Sequence, residues 1–164
     1  MSDTESKAHL LDGMEKEWPA FKKVLDAIPD GEMDRPGVVD QWCLKELLGH
    51  VNFWAEKGAR DVRLAGEGKA DQIEVPGGQE KVDEWNAREA ALGKAKTPAE
   101  LRRAVQASYE NARRALEEAP EPALAVVLEG WSVGVRYAED TYRHYREHAE
   151  QIRAWGRDLE TSEA

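Results

Sequence analysis

The sequence predicts an all-α protein: a four-helix bundle with one crossover connection and a short accessory helix. Two observations carry that expectation. Apolar residues recur at intervals of three and four along nearly the whole chain, and turn-forming residues separate the stripes. Only Ala123–Leu128 alternates enough to suggest a strand, and it is short. At 164 residues the chain reads as a single domain, 1–164, long enough for one well-filled core.

The first stripe is Leu10/Leu11, Met14, Trp18, Phe21, Leu25 and Ile28, ended by Pro29-Asp30-Gly31. A loop over Pro29–Gln41 follows. The second stripe takes Leu44, Leu47/Leu48, Val51, Trp54/Ala55, Gly58 and Val62, and fades at Gly66-Glu67-Gly68. Cys43 opens it with Glu46 three residues on, a capping-box pattern in which the thiol replaces the usual hydroxyl. The competing reading is a thiol whose pKa the helix N-terminus lowers. Val82–Leu92 reads as the accessory helix. Thr97-Pro98-Ala99-Glu100 then supplies an N-cap, a proline at the first helical position and a capping glutamate. That helix ends near Pro120-Glu121-Pro122.

A last helix is expected from Arg136 to Trp155. Its inner stripe is Tyr137, Thr141, His144, His148, Ile152 and Trp155, which leaves Tyr142 and Tyr145 off the stripe. The stretch between the second stripe and Thr97 is too long for a simple helix–helix turn. It can carry the chain along the bundle, so the third long helix is expected to run parallel to the second.

Composition excludes several function classes. Lys+Arg 23 against Asp+Glu 33 gives a net charge of −10, which disfavours nucleic acid or an anionic membrane as partner. No apolar run approaches the roughly 20 residues of a membrane span. The single cysteine rules out an internal disulfide framework, and Met1–Lys7 has no leader-like apolar segment. The expected location is the cytoplasm.

Chemistry concentrates on the histidines, of which there are only four. His144-Tyr145-Arg146-Glu147-His148 spaces two of them four apart, one above the other on a helix face with Cβ atoms about 5–6 Å apart. His50 lies on the second stripe. If the two helices pack with these faces inward, three imidazoles converge and leave coordination positions free, the ligand set of a catalytic metal site. The plainer reading is a set of hydrogen-bonded core histidines. Zinc or nickel suits the donors. Asp140, one turn before His144, could accept an imidazole N–H or simply place charge at a helix end. Asn86 could orient a polar substrate or pack between helices, and Trp54 would wall the cavity or fill the core. Glu147 reads as solvated and His9 as a bystander.

Three segments together resemble the DinB-like superfamily: Trp42-Cys43-Leu44-Lys45-Glu46-Leu47-Leu48-Gly49-His50, Val82–Arg88, and Asp140–Arg153 with its His-Tyr-Arg-Glu-His core. Within it they look closest to the branch of colibactin self-resistance proteins, through Trp85-Asn86. That branch departs at the histidines, so its metal-free chemistry is not carried over. The resemblance implies a four-helix bundle whose metal-binding members use one histidine of the second helix and two of the last, matching His50, His144 and His148. Relatives include transferases and isomerases that use a low-molecular-weight thiol.

The expectation is therefore a divalent-metal-binding detoxifying enzyme. A metal-activated thiol would attack a small electrophile lodged between the bundle and the loop around Gly66–Lys81. The alternatives are a metal-dependent hydrolase, a metal-free toxin-sequestering bundle and a non-catalytic, dimeric stress protein.

Overall fold

The computed structural model describes residues 5–162, so most of the N-terminal segment expected to lack a leader lies outside the described residues. Its long helices are α1 (Lys7–Asp26), α2 (Leu44–Gly66), α3 (Gln79–Lys94), α4 (Pro98–Glu118) and α7 (Tyr142–Ser162). Shorter pieces are α5 (Glu121–Leu124) and α6 (Val133–Asp140). Three of the long helices begin at side-chain caps, two of them expected from the sequence. Ser6 accepts the His9 N–H, Thr97 and Glu100 bond reciprocally, and Cys43 with Glu46 forms the expected capping box.

Contacts between helices fix the topology. Residues 56, 63 and 66 of α2 meet residues 111 and 120 in rising order, so α2 and α4 run parallel. The expected crossover is present. Glu17 pairs with Arg146, and Gly156 abuts Ile28, so α1 and α7 are also parallel. Arg113 reaches Glu15 while Arg102 reaches the Leu25 and Ile28 carbonyls, which makes α1 and α4 antiparallel. The bundle is thus a ring of α1, α4, α2 and α6–α7 around one core, with α3 laid against the outside of α2.

The last helix differs from expectation. It breaks at Thr141 (φ −122°, ψ −97°), whose hydroxyl donates to the Tyr137 carbonyl at 2.6 Å. The break turns α7 about its axis relative to α6, and Tyr142 and Tyr145 become buried rather than lying off the stripe. Tyr145 packs among Trp18, Phe21 and Tyr109, with ring centroids 5.2, 5.4 and 6.3 Å away. Tyr142 covers Gly13 so closely that a Cβ there would lie 2.7 Å from its ring.

Two small hairpins also depart from the all-helical reading. Pro36–Val39 (β1) pairs with Trp42–Cys43 (β2), and Val127–Leu128 (β3) with Trp131–Ser132 (β4). The suspected strand over Ala123–Leu128 is a helical turn followed by the two residues of β3. Glu129 and Gly130 both have positive φ, the backbone a two-residue hairpin turn demands. Strands of two to four residues are too short for alternation to show in a sequence.

The accessory helix sits where glycines let two backbones touch. Gly49 of α2 and Gly93 of α3 face each other, and a Cβ on either would lie 2.9 Å from the other's Cα. Gly49→Ala or Gly93→Ala is therefore expected to destabilise the protein by about 1–3 kcal/mol through overpacking. Gly31→Ala, which enters open space, should be near neutral. Denaturant melts of the three variants check this.

Candidate metal centre

α2 and α7 deliver the three predicted histidines to one place. The ring centroids of His50 and His144 are 4.5 Å apart, those of His144 and His148 4.4 Å, and those of His50 and His148 5.2 Å. One ring nitrogen from each lies within 4.8 Å of the others. His50 and His148 are buried and His144 is half-buried, in a pocket of about 300 Å³ that Trp54, Asn86 and Glu147 also line. Burial favours the neutral form of all three, and neighbouring imidazoles add to the effect at His50 and His144. His50 is lowered to about 4, first by desolvation and then by His148. His144 and His148 are lowered as well, chiefly by burial.

The hydrogen bonds decide which nitrogens face inward. Trp54 Nε1–H can only donate, and it donates to Asn86 Oδ1 at 2.7 Å, which fixes the Asn86 amide orientation. The same oxygen lies 3.0 Å from His50 Nδ1, so that nitrogen carries the proton and His50 Nε2 presents a lone pair. Gln151 Oε1 does the same for His148 Nδ1, at 2.5 Å. His148 Nε2 is left buried without a partner. His144 Nε2 approaches His50 Nε2 to 2.7 Å and must supply the proton between them. Two lone pairs held by amide oxygens, a third imidazole against them and an orphaned buried nitrogen together fit a divalent cation.

The structure reassigns the supporting residues. Asn86 serves His50, and it joins Trp54 to the site. Asp140 makes no hydrogen bond to His144, whose Nδ1 has no partner. The Asp140 carboxyl lines the histidine pocket and also feels the charges of Lys57, Asp61 and Arg136. Burial pushes it well above the usual carboxylate range, with Lys57 opposing and Asp61 adding to the rise. Glu147 is exposed at the rim and His9 pairs with Glu5 on the surface, as expected. Burial raises the Cys43 thiol, so its part is the cap. Sequence reasoning missed Gln151, whose signal was its place three residues after His148. It also missed Trp42, whose ring packs 5.2 Å from that of His50.

Residues 14–155 match the family described as the mycothiol maleylpyruvate isomerase N-terminal domain. The chain belongs to that family. Its members fall within the DinB-like superfamily, and three solved structures share the fold. An uncharacterised protein from Escherichia coli UTI89 superposes with a TM-score of 0.82 at 14% identity, over 97% of this chain and 96% of that one. A histidine-to-alanine mutant of the mycothiol-dependent maleylpyruvate isomerase gives 0.75 at 17% identity, over 90% of this chain and 61% of that one. A Streptococcus pneumoniae protein gives 0.73 at 17% identity, over 96% and 93%. This chain therefore spans under two thirds of the isomerase's length. No curated protein matches it in sequence. Among the described residues, no helix is long and apolar enough to cross a membrane.

Two outcomes follow for the histidine site in this chain. Because the imidazoles are held neutral, zinc affinity should stay level down through the ordinary imidazole range near about 6.5 and fall as pH nears about 4. The metal-free fold should lose stability as pH falls from that ordinary imidazole range toward about 4. There the unfolded chain takes up protons that the buried histidines refuse, and His50→Ala should flatten that slope. Calorimetric titration and thermal melts across pH measure both. Gln151→Ala, which releases the His148 ring, should weaken zinc binding by about tenfold or more.

Proposed function

We propose that this chain is a divalent-metal-dependent, thiol-using enzyme that acts on a small electrophile. The observation that carries the reading is the convergence of three neutral imidazoles, two with their lone pairs set by amide oxygens. The family's description supplies the thiol. His50, His144 and His148 would hold the ion, zinc or nickel by donor type. A metal with three imidazole ligands and open positions acidifies a bound thiol or water. The protein's own part is to keep the imidazoles unprotonated by burial, to aim them through Asn86 and Gln151, and to wall the pocket with Trp54. Glu147 and Glu139 at the rim hold negative charge near the mouth, which favours substrates without a strong anionic charge.

A metal-free chemistry like that of the colibactin self-resistance branch draws less support. Trp85, half of the Trp-Asn pair behind that resemblance, is buried against Phe53 and Trp54, with centroids 6.0 Å away. Asn86, the other half, is engaged by His50.

His50→Ala and His144→Ala should reduce thiol-dependent turnover to background while circular dichroism stays unchanged, since the apolar stripes remain. Asn86→Ala should act first on metal affinity, with turnover recovering at high zinc. The assay pairs a panel of thiols with a panel of electrophiles, with and without added zinc or nickel. Histidine variants that turn over as fast as the unmodified protein would exclude metal catalysis.

A further inference from the structure

Phe53, Lys57, Arg60 and Arg63 follow one another along α2 at intervals of three and four, which sets them along one side of the helix. With Glu56, and with Asn111 of α4, they line a cavity of about 240 Å³. It shares no lining residue with the histidine pocket. Three cations stand here against one carboxylate, in a chain whose net charge is −10. That carboxylate is already engaged, since Glu56 Oε2 accepts from Asn111 Nδ2 at 2.8 Å.

The protein itself does little to meet this charge. Like charges three apart on a helix repel, and the run holds two such pairs, Lys57–Arg60 and Arg60–Arg63. Lys57, only 5% exposed, gives one N–H to Asp61 and keeps two more. Among the described residues Arg60 and Arg63 form no ion pair, and the Arg63 guanidinium makes one long hydrogen bond, 3.5 Å, to the Asn111 carbonyl. Arg102, Arg113 and Arg143, which also reach between elements, each hold two carboxylates.

The uncommitted donors define what fits. A cation would meet three like charges, and an uncharged group would leave the guanidinium forks unmatched. A carboxylate has two oxygens, enough for one fork. A phosphate monoester offers three oxygens and nearly two negative charges, enough for both forks and for Lys57. Phe53 adds an apolar wall beside the cations. Its ring is covered by Arg88 at 5.5 Å and packs edge-on to Trp54 and Trp85 at 5.2 and 6.0 Å.

We propose that this cavity is a second ligand site, which takes the phosphate of a small phosphomonoester and lays the ester's apolar group against Phe53. Arg60 and Arg63 clasp the phosphate, Lys57 adds an N–H from the buried side, and Phe53 packs against the group the phosphate carries. The site requires neither a metal nor a thiol at the histidines.

The test titrates the protein with phenyl phosphate, inorganic phosphate and acetate, followed by proton–nitrogen NMR of the arginine Nε–H groups. The pH is held above neutral, where the phosphoryl group is a dianion, and the ionic strength is held constant so that screening does not vary. The expected result is a saturable shift of the Arg60 and Arg63 signals, several-fold tighter with phenyl phosphate than with inorganic phosphate and absent with acetate. Arg60→Gln and Arg63→Gln should each weaken phenyl phosphate binding by about tenfold. Phe53→Leu should remove most of the advantage of the phenyl group while inorganic phosphate binds as before. No saturable shift with either phosphate would overturn the proposal. So would acetate binding as tightly as phosphate, equal affinity for the two phosphates, or binding undiminished in both arginine variants.

Discussion

The contact on which this site depends is made without side chains. Gly49 and Gly93 let α2 and α3 meet backbone to backbone, and that closeness brings Asn86 within 3.0 Å of His50. A wider spacing would leave His50 free to rotate and to exchange its proton between nitrogens. The glycine pair therefore sets chemistry at one remove, through a helix that lies outside the main ring. Gly49 precedes His50 directly, so helix packing and the placement of the imidazole are built into consecutive residues. The Trp54 indole one turn further on completes the arrangement by fixing which end of the Asn86 amide faces the imidazole.

Much of this was legible in the sequence, and the residues show why. His50, His144 and His148 stand at helical spacing on apolar stripes, and the capping residues mark the helix starts. The crossover followed from the length of one connection. The break at Thr141 was not legible, because Asp140-Thr141-Tyr142 contains neither glycine nor proline. Without it, a continuous helix leaves Tyr142 and Tyr145 outside. With it, both enter the core against Gly13 and the Trp18–Tyr109 stack. Asp140, at the end of α6, lines the histidine pocket without a hydrogen bond to His144. Gln151 was passed over because an amide in a charged helix looks solvated, and only its spacing of three from His148 marked it.

Beside the histidines an adjoining cavity is lined by Lys57, Asp61, Arg136 and Asp140, with Lys57 and Asp61 buried as an ion pair. A lysine, two aspartates and an arginine stand where apolar residues of similar size would pack without electrostatic penalty. Such groups are held there only by the surrounding helices, and perturbed carboxyls of this sort cluster at functional sites more often than elsewhere. They share Trp54 with the imidazoles, since that ring lines both the histidine pocket and the adjoining cavity.

Each half of the chain follows the same plan: a long helix, a short hairpin, then a capped helix that leads to the site histidines. The first half runs α1, β1–β2 and α2 and contributes His50. The second runs α4, β3–β4 and α6–α7 and contributes His144 and His148. The three histidines therefore straddle a seam between two similar units. A cation bound across that seam would fasten the halves to each other, and any affinity it has for the folded state adds to the stability of the whole by mass action. With such an ion bound, resistance to heat and proteolysis would report the occupancy of the seam.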